Sequence, residues 1–271
     1  MRRAALLFSF LAACGGGSDS SQTPDVTPPT EMTPPTVEVR ILAFNDLHGW
    51  LEPPDGANGS VDGTASGGAA YLAAHVKALR TANTVVVSSG DLTGASPLVS
   101  GLFHDEPTIL AMNAMGLDVN GVGNHEFDHG AAELLRLQKG GCHPTDGCTS
   151  GQPPFPGAKF AYLAANVDDA AKQTLFPAYA IVNVGGEAIA FVGMTLEQTG
   201  AIVPQQGIAG LTFEDEAQTI NALVPEIKAK GAVAIVALLH QGDVPPAGTN
   251  ANGCGIEGGY LDALVSKMDP A

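Results

Sequence analysis

Short apolar runs rich in Val, Ile and Ala alternate along this chain with longer stretches of helical periodicity, and that alternation constrains the fold more than any other feature. Val39–Phe44, Thr84–Ser88 and Asp118–Val122 read as strands. Gly68–Arg80, Thr108–Met115 and Ala131–Gln138 read as helices, the first stopped by polar Thr81-Ala82-Asn83 and the second by Gly116. Lys159–Ala165, Ala178–Val184 and Glu187–Met194 read as further strands, with Gly185-Gly186 as a hairpin turn between the last two. Phe213–Lys230 reads as a helix closed by Gly231, and Ala232–Leu239 as a buried strand. Strands that are apolar on both faces and separated by helices belong to an α/β fold, and the hairpin predicts a mixed sheet. With 271 residues, 45% of them hydrophobic, the chain can bury a sizeable core in one large or two small domains. No internal repeat is visible.

The first residues stand outside that pattern. Arg2 and Arg3 open the chain, Ala4–Ala13 is a short apolar run, and small residues precede Cys14. Residues 1–13 are therefore expected to be an export signal, too short to cross a bilayer as a stable helix. Leu11-Ala12-Ala13-Cys14 resembles the lipobox of bacterial lipoproteins, which implies cleavage before Cys14 and a lipid on its sulfur and new N-terminus. An ordinary signal with a chance cysteine is the alternative. Residues 14–37, built from Gly, Ser, Thr and Pro, cannot bury enough surface to fold and are expected to be a flexible tether. The domain proper is expected over 38–271, exported to a bacterial periplasm or cell surface and anchored to a membrane by lipid.

Cysteine usage fits export. Cys142 and Cys148 lie in Gly-Cys-His-Pro-Thr-Asp-Gly-Cys and are expected to close a small disulfide loop. A zinc site using Cys142, His143 and Cys148 is the alternative, but it lacks a second ligand pair at a suitable spacing. Cys254 is left over, either as a free thiol or with a partner outside this chain.

Charge narrows the function. With 28 acidic against 12 basic side chains, the formal net charge is −16, which argues against binding a nucleic-acid polymer by neutralising its phosphates and against a basic membrane-surface protein. From Thr81 to Glu133 there is no Lys or Arg, while Asp91, Asp105, Glu106, Asp118, Glu126, Asp128 and Glu133 accumulate. Such a stretch is either a solvated face or a place that wants a cation.

The chemistry gathers after the strands, where ligands bind in open α/β sheets. The first strand is followed by Asn45-Asp46-Leu47-His48, in which Asp46 and His48, two apart on an extended segment, are expected to point the same way. The second is followed by Ser89-Gly90-Asp91, by itself no more than a turn. The third is followed by Gly123-Asn124-His125-Glu126-Phe127-Asp128, an amide, an imidazole and two carboxylates that are costly to hold together without a task. The last strand is followed by His240.

This order, Asp-x-His, Gly-Asp, Gly-Asn-His-Glu and a later His, resembles the calcineurin-like metallophosphoesterases, and more closely their 5'-nucleotidase and UDP-sugar hydrolase branch. Phe44–Gly49, Ser89–Asp91, Asp105-Glu106-Pro107, Met112–Gly116 and above all Gly121–Gly130 carry the resemblance, which runs from about Val39 to the chain end. It implies a four-layer α/β/β/α sandwich with mixed sheets, and two divalent metal ions of the Mn, Zn or Co type. It assigns Asp46 and His48 to one metal, Asp91 as the bridge, and Asn124 and His240 to the other. It assigns His125 to the transition state and Asp128 to orienting His125. It also implies a nucleotide or other phosphate-ester substrate, attacked at phosphorus by a metal-activated water.

One departure stands out. The family closes its metal site with a later Gly-His-x-His or Gly-His-x-Gln block, and this chain has no histidine after His240. The expectation is a domain lacking its last metal-ligand block and the family's C-terminal domain, and inactive by itself; a degenerate domain is the alternative. Rival readings are a 2',3'-cyclic-nucleotide phosphodiesterase or UDP-sugar hydrolase within the class, and a non-catalytic nucleotide- or metal-binding lipoprotein outside it. His75 reads as a packed or surface residue, His104 and His129 as supporting residues near the site, and His143 as solvated. Trp50 either shields the site or simply packs.

Overall fold

The computed structural model describes residues 36–61, 63–148, 153–243 and 258–270. The signal, Cys14, the tether up to residue 35 and Cys254 lie outside the described residues. Four parallel strands form the first sheet, in the order β1 (Arg40–Phe44), β2 (Thr84–Ser88), β3 (Val119–Gly121) and β4 (Ala161–Leu163). The second sheet is mixed. β5 (Tyr179–Val184) runs antiparallel to β6 (Glu187–Met194), and β7 (Ala234–Leu239) runs parallel to β6 on its other side.

Strand alternation sorts side chains into layers. Val86 of β2 joins Val76, Ile109, Met112, Leu134 and Leu137 in a core under α1 (Ala69–Leu79), α2 (Glu106–Met115) and α3 (Ala131–Lys139). Its neighbours Val85 and Val87 face the opposite way, against Val119, Leu163, Ile189, Phe191 and Leu238 between the two sheets. Ala190, Val192 and Met194 of β6 then pack on Ile220 and Ile227 of α4 (Glu216–Ala229). The order of layers is helices, sheet, sheet, helix, so the fold is the four-layer α/β/β/α sandwich with a mixed second sheet. A short helix α5 (Tyr260–Val265) follows; just beyond it, Lys267 and Asp269 are tied to Asn221 of α4 by hydrogen bonds of 2.8 and 2.7 Å.

Some element ends differ from those expected, for local reasons. α2 begins at Glu106 rather than Thr108, because Pro107 falls in the first turn, where a missing N–H costs nothing. α4 begins at Glu216 rather than Phe213. Asp215 caps it by accepting the Gln218 N–H at 2.7 Å, and Phe213 pairs instead with Val167 in a short antiparallel ladder. β4 is shorter than Lys159–Ala165, since the Ala165 N–H leaves the sheet and donates to Gly193 O at 2.8 Å.

The two sheets touch at their carboxyl ends. A side chain at Gly193 would meet Leu163 O at 2.2 Å, so only glycine lets β6 approach β4 this closely. Thr195 Oγ1 donates to Val122 O at 2.8 Å beside that contact. His240, whose N–H donates to Met194 O at 2.8 Å, is thereby carried from the second sheet to the strand ends of the first.

Candidate metal centre

Two loops are stitched together first. The N–H groups of Asp46, His48 and Gly49 donate to the carbonyls of Gly90, Asp91 and Leu92 at 3.0, 2.9 and 2.9 Å. Asp46, His48 and Asp91 all adopt left-handed backbone conformations, with φ of 54°, 46° and 54°. Non-glycine residues hold such φ values only when their surroundings impose them, and they cluster at functional sites. This corrects the expectation of an extended Asp46–His48 segment. The two side chains do converge, with His48 Nε2 3.9 Å from Asp46 Oδ1, but a tight left-handed loop brings them together rather than strand alternation.

Asp91 is the hub. Its Oδ2 lies 3.5 Å from His48 Nε2 and 3.2 Å from His240 Nε2, and its Oδ1 accepts the His125 N–H at 2.9 Å. His48, Asp91 and His125 each offer a donor atom within 4.8 Å of the others, as do Asp46, Asp91 and His240. Asn124 Oδ1 lies 3.1 Å from His240 Nε2. A side chain at Gly123 would strike Asp91 Oδ1 at 2.2 Å, so the glycine is what lets the third strand end press against the carboxylate. His125 Nδ1 lies 2.9 Å from Asp128 Oδ2, an oxygen that also accepts the Ala95 N–H at 3.0 Å. The rings of His125 and His48 meet edge to face at 4.8 Å.

The donor set fits cations. His240 Nδ1 points at Ser89 O at 2.8 Å and His48 Nδ1 at Gly94 O at 3.0 Å. A carbonyl can only accept, so both histidines carry their neutral-state proton on Nδ1 and present a bare Nε2 to the carboxylates. That is the arrangement that orients a metal-ligating histidine. Without a cation, a proton takes its place. Burial opposes charge on His240, but the hydrogen bond and charge of Asp91 outweigh it and raise the imidazole pKa to about 9. Burial likewise opposes ionisation of Asp91, but its bonds to His240 and to the His125 N–H, with the charge of His48, hold it below the usual carboxylate range. His125 is also raised, its burial overcome by the bond to Asp128 and the charges of Asp91, Asp128 and Glu126.

Glu126 is the residue that sequence reasoning left without a role. It is buried, and its carboxylate accepts N–H groups from Asp91, Leu92 and Gly123, each at 2.8 Å. It therefore locks the second and third strand ends to each other. Burial and the charge of Asp91 push its pKa up to about 7. A Glu set between ligand candidates and followed by a core Phe127 is the signal that could have found it. His129 and His75 are exposed, and His104 turns instead to Asp146, at 2.8 Å.

The site is open to solvent. Asn45, Asp46, Ser89, His240 and Gln241 line a cleft of about 340 Å3. On the other side of Asp46 a groove of about 680 Å3 carries Trp50, Tyr71 and His75.

No family model matches the chain. It is 38% identical over 268 residues to endonuclease YhcR of Bacillus subtilis, covering 96% of this chain and 20% of that protein. It is 44% identical over 196 residues to an uncharacterized protein in the pqq-V 5'region of Acinetobacter calcoaceticus, covering 67% of this chain and 93% of that one. It is 31% identical over 185 residues to a 5'-nucleotidase of Vibrio cholerae, covering 67% of this chain and 30% of the relative. The chain thus spans about a fifth of the endonuclease and under a third of the nucleotidase. Among solved structures, it matches the 5'-nucleotidase precursor of Thermus thermophilus with a TM-score of 0.59 at 28% identity, over 74% of this chain and 36% of that one. It matches the NAD nucleotidase of Haemophilus influenzae with a TM-score of 0.60 at 29% identity, over 76% and 35%.

Proposed function

The chain belongs to the calcineurin-like metallophosphoesterases, in their 5'-nucleotidase and UDP-sugar hydrolase branch, and we propose on that premise that it is the catalytic domain of a metal-dependent phosphohydrolase releasing phosphate from nucleotides. The observation that carries the reading is Asp91, a buried carboxylate shared by two donor groups built from separate strand ends. On the assignment that the family resemblance implies, Asp46, His48 and Asp91 would hold one divalent ion and Asp91, Asn124 and His240 the other, which divides the close group of Asp46, Asp91 and His240 between the two ions. Held by these residues, Mn, Zn or Co ions would supply charge against the phosphoryl oxygens and would lower the pKa of a water molecule toward neutrality. This accounts for a phosphate site in a stretch with neither Lys nor Arg.

The chain's own residues do the rest. Asp128 holds His125 through Nδ1, so Nε2 is the ring nitrogen that would serve the substrate. Through its bond to Asp128, His125 is placed to stabilise developing charge or to pass a proton to the leaving oxygen. Glu126 keeps Asp91 and Asn124 in place through the backbone.

Hydrolysis of a phosphodiester is the second reading. One observation favours it: the relative matched along 96% of this chain is named an endonuclease. Export with a lipid on Cys14 is part of the proposal, supported by the leader pattern and by the disulfide between Cys142 and Cys148. The test is hydrolysis by the full chain in Mn2+, Zn2+ or Co2+, reading phosphate released from a nucleoside 5'-monophosphate, ring-opened monophosphate formed from a 2',3'-cyclic nucleotide, and shortened strands formed from single-stranded DNA. Metal-dependent release from the monophosphate is expected. Preference for either diester would overturn the monoesterase reading, and inactivity with all three under every metal would favour a binding protein.

A further inference from the structure

A second cluster of imidazoles and carboxylates lies apart from the centre at Asp91. His104, on the turn before α2, stacks on His143 of the cysteine loop with ring centroids 3.6 Å apart and planes 5° from parallel. Asp146 Oδ2 lies 2.8 Å from His104 Nε2 and 3.5 Å from His143 Nδ1, and that Nδ1 also accepts the Asp146 N–H at 3.2 Å. His104, His143 and Glu133 of α3 also offer donor atoms all within 4.8 Å of one another. His143 is thus not the solvated residue its sequence context suggests; its side chain is 19% exposed. The cleft here, about 460 Å3, shares no lining residue with the cleft at His240.

We propose that His104, His143 and Asp146, with Glu133 in reach, form a separate mononuclear site for a borderline divalent ion of the Zn2+ class. Bonds of about 2.0–2.1 Å in a tetrahedral site place neighbouring donors about 3.3 Å apart, and the two Asp146 distances bracket that edge. Lone pairs lie in the ring planes, so for both imidazoles to meet one ion the rings must tilt away from parallel and His143 Nδ1 must give up the Asp146 N–H. Two nitrogens and a carboxylate select Zn2+, Ni2+ or Cu2+ over the hard cations Mg2+ and Ca2+.

Three further features support the assignment. Cys142 and Cys148 bracket His143 and Asp146 and are joined in a disulfide, with Cα atoms 4.5 Å apart. The bond holds two of the three donors on a short loop and leaves no thiolate to compete. His104 and the adjacent Asp105 both take left-handed φ values, 54° and 58°, so the turn that presents His104 is held in an uncommon conformation. Arg136 is the cation packed here, and it is already spent on Glu133 and Glu106, each at 2.6 Å. Glu133 would become a fourth ligand only by giving up part of that contact; otherwise water completes the site.

The test isolates this site in the full chain. Asp91→Ala with His240→Ala removes the bridging carboxylate and an imidazole of the proposed catalytic centre. Calorimetric titration of this metal-free protein with Zn2+ should show one equivalent bound, which excess Mg2+ does not displace. Adding His143→Gln or His104→Gln should weaken that binding at least about tenfold, the least expected from disturbing the shell of a metal ligand. Asp146→Asn, at an exposed position, gives the same readout without risk to folding. The proposal is overturned if the silenced protein takes up no Zn2+, or if it binds Zn2+ equally with and without these substitutions.

Discussion

Asp91 Oδ2 and His240 Nε2 stand 3.2 Å apart, although Asp91 follows a strand of the first sheet and His240 a strand of the second. The candidate centre is therefore a joint between two sheets, and its integrity depends on their contact at Gly193. On the proposed assignment, His240→Ala removes a donor from one ion only. Metal stoichiometry by calorimetry should fall from two toward one. An unchanged stoichiometry and affinity would show that His240 is not a ligand.

His125 bonds Asp128 through its ring and Asp91 through its backbone N–H, and on the proposed assignment its ring is not a metal ligand. His125→Ala keeps that N–H, so metal content should change little. Turnover of an active form should drop about 10²–10⁴-fold, the range for a positioned acid. Turnover within threefold of the parent would remove His125 from the mechanism.

Glu126 satisfies three buried N–H groups. Glu126→Ala strands all three, at about 1–3 kcal/mol for each unpaired group, and a loss of at least about 3 kcal/mol is expected. Urea unfolding of the metal-free protein separates this from any loss of bound ion. Glu126→Gln keeps one carboxamide oxygen as acceptor and should fall between the parent and the alanine variant.

Metal removal should lower thermal stability, since a cation would hold loops from four strand ends together. At a free concentration of a hundred times Kd, binding adds about 2.7 kcal/mol, and a domain of this size shifts by about 2–4 °C per kcal/mol. A drop of about 5–11 °C in melting temperature on adding EDTA to metal-saturated protein is expected. No drop would mean that the folded state does not bind the ions selectively.

The Cys142–Cys148 loop is short, so on the chain-entropy model its bond contributes about 2–3 kcal/mol. Exported protein digested without reduction should yield the two cysteines on linked peptides by mass spectrometry. Finding both as free thiols would refute the pairing in the native protein.

The seven strands of the two sheets and the four longer helices are legible in the amino-acid pattern alone, because strands such as Thr84–Ser88 are continuous apolar runs and helices such as Ala131–Lys139 show a one-sided apolar period; the short helix Tyr260–Val265 is not. The sequence also brought out the candidate ligands, since each sits just after a strand, where α/β sheets place chemistry. Local pattern could not decide backbone conformation at Asp46, His48 and Asp91, because hydrogen bonds from a neighbouring loop impose those left-handed turns. Nor could it give Glu126 its place, which depends on N–H groups from two different strand ends meeting one buried carboxylate. His104 and His143 lie far apart in the chain on segments with no shared periodicity, and only the packing of the cysteine loop beside the turn before α2 stacks them. Periodicity reports which face of an element is buried; which residues from distant elements share a few ångströms is settled by how the layers pack.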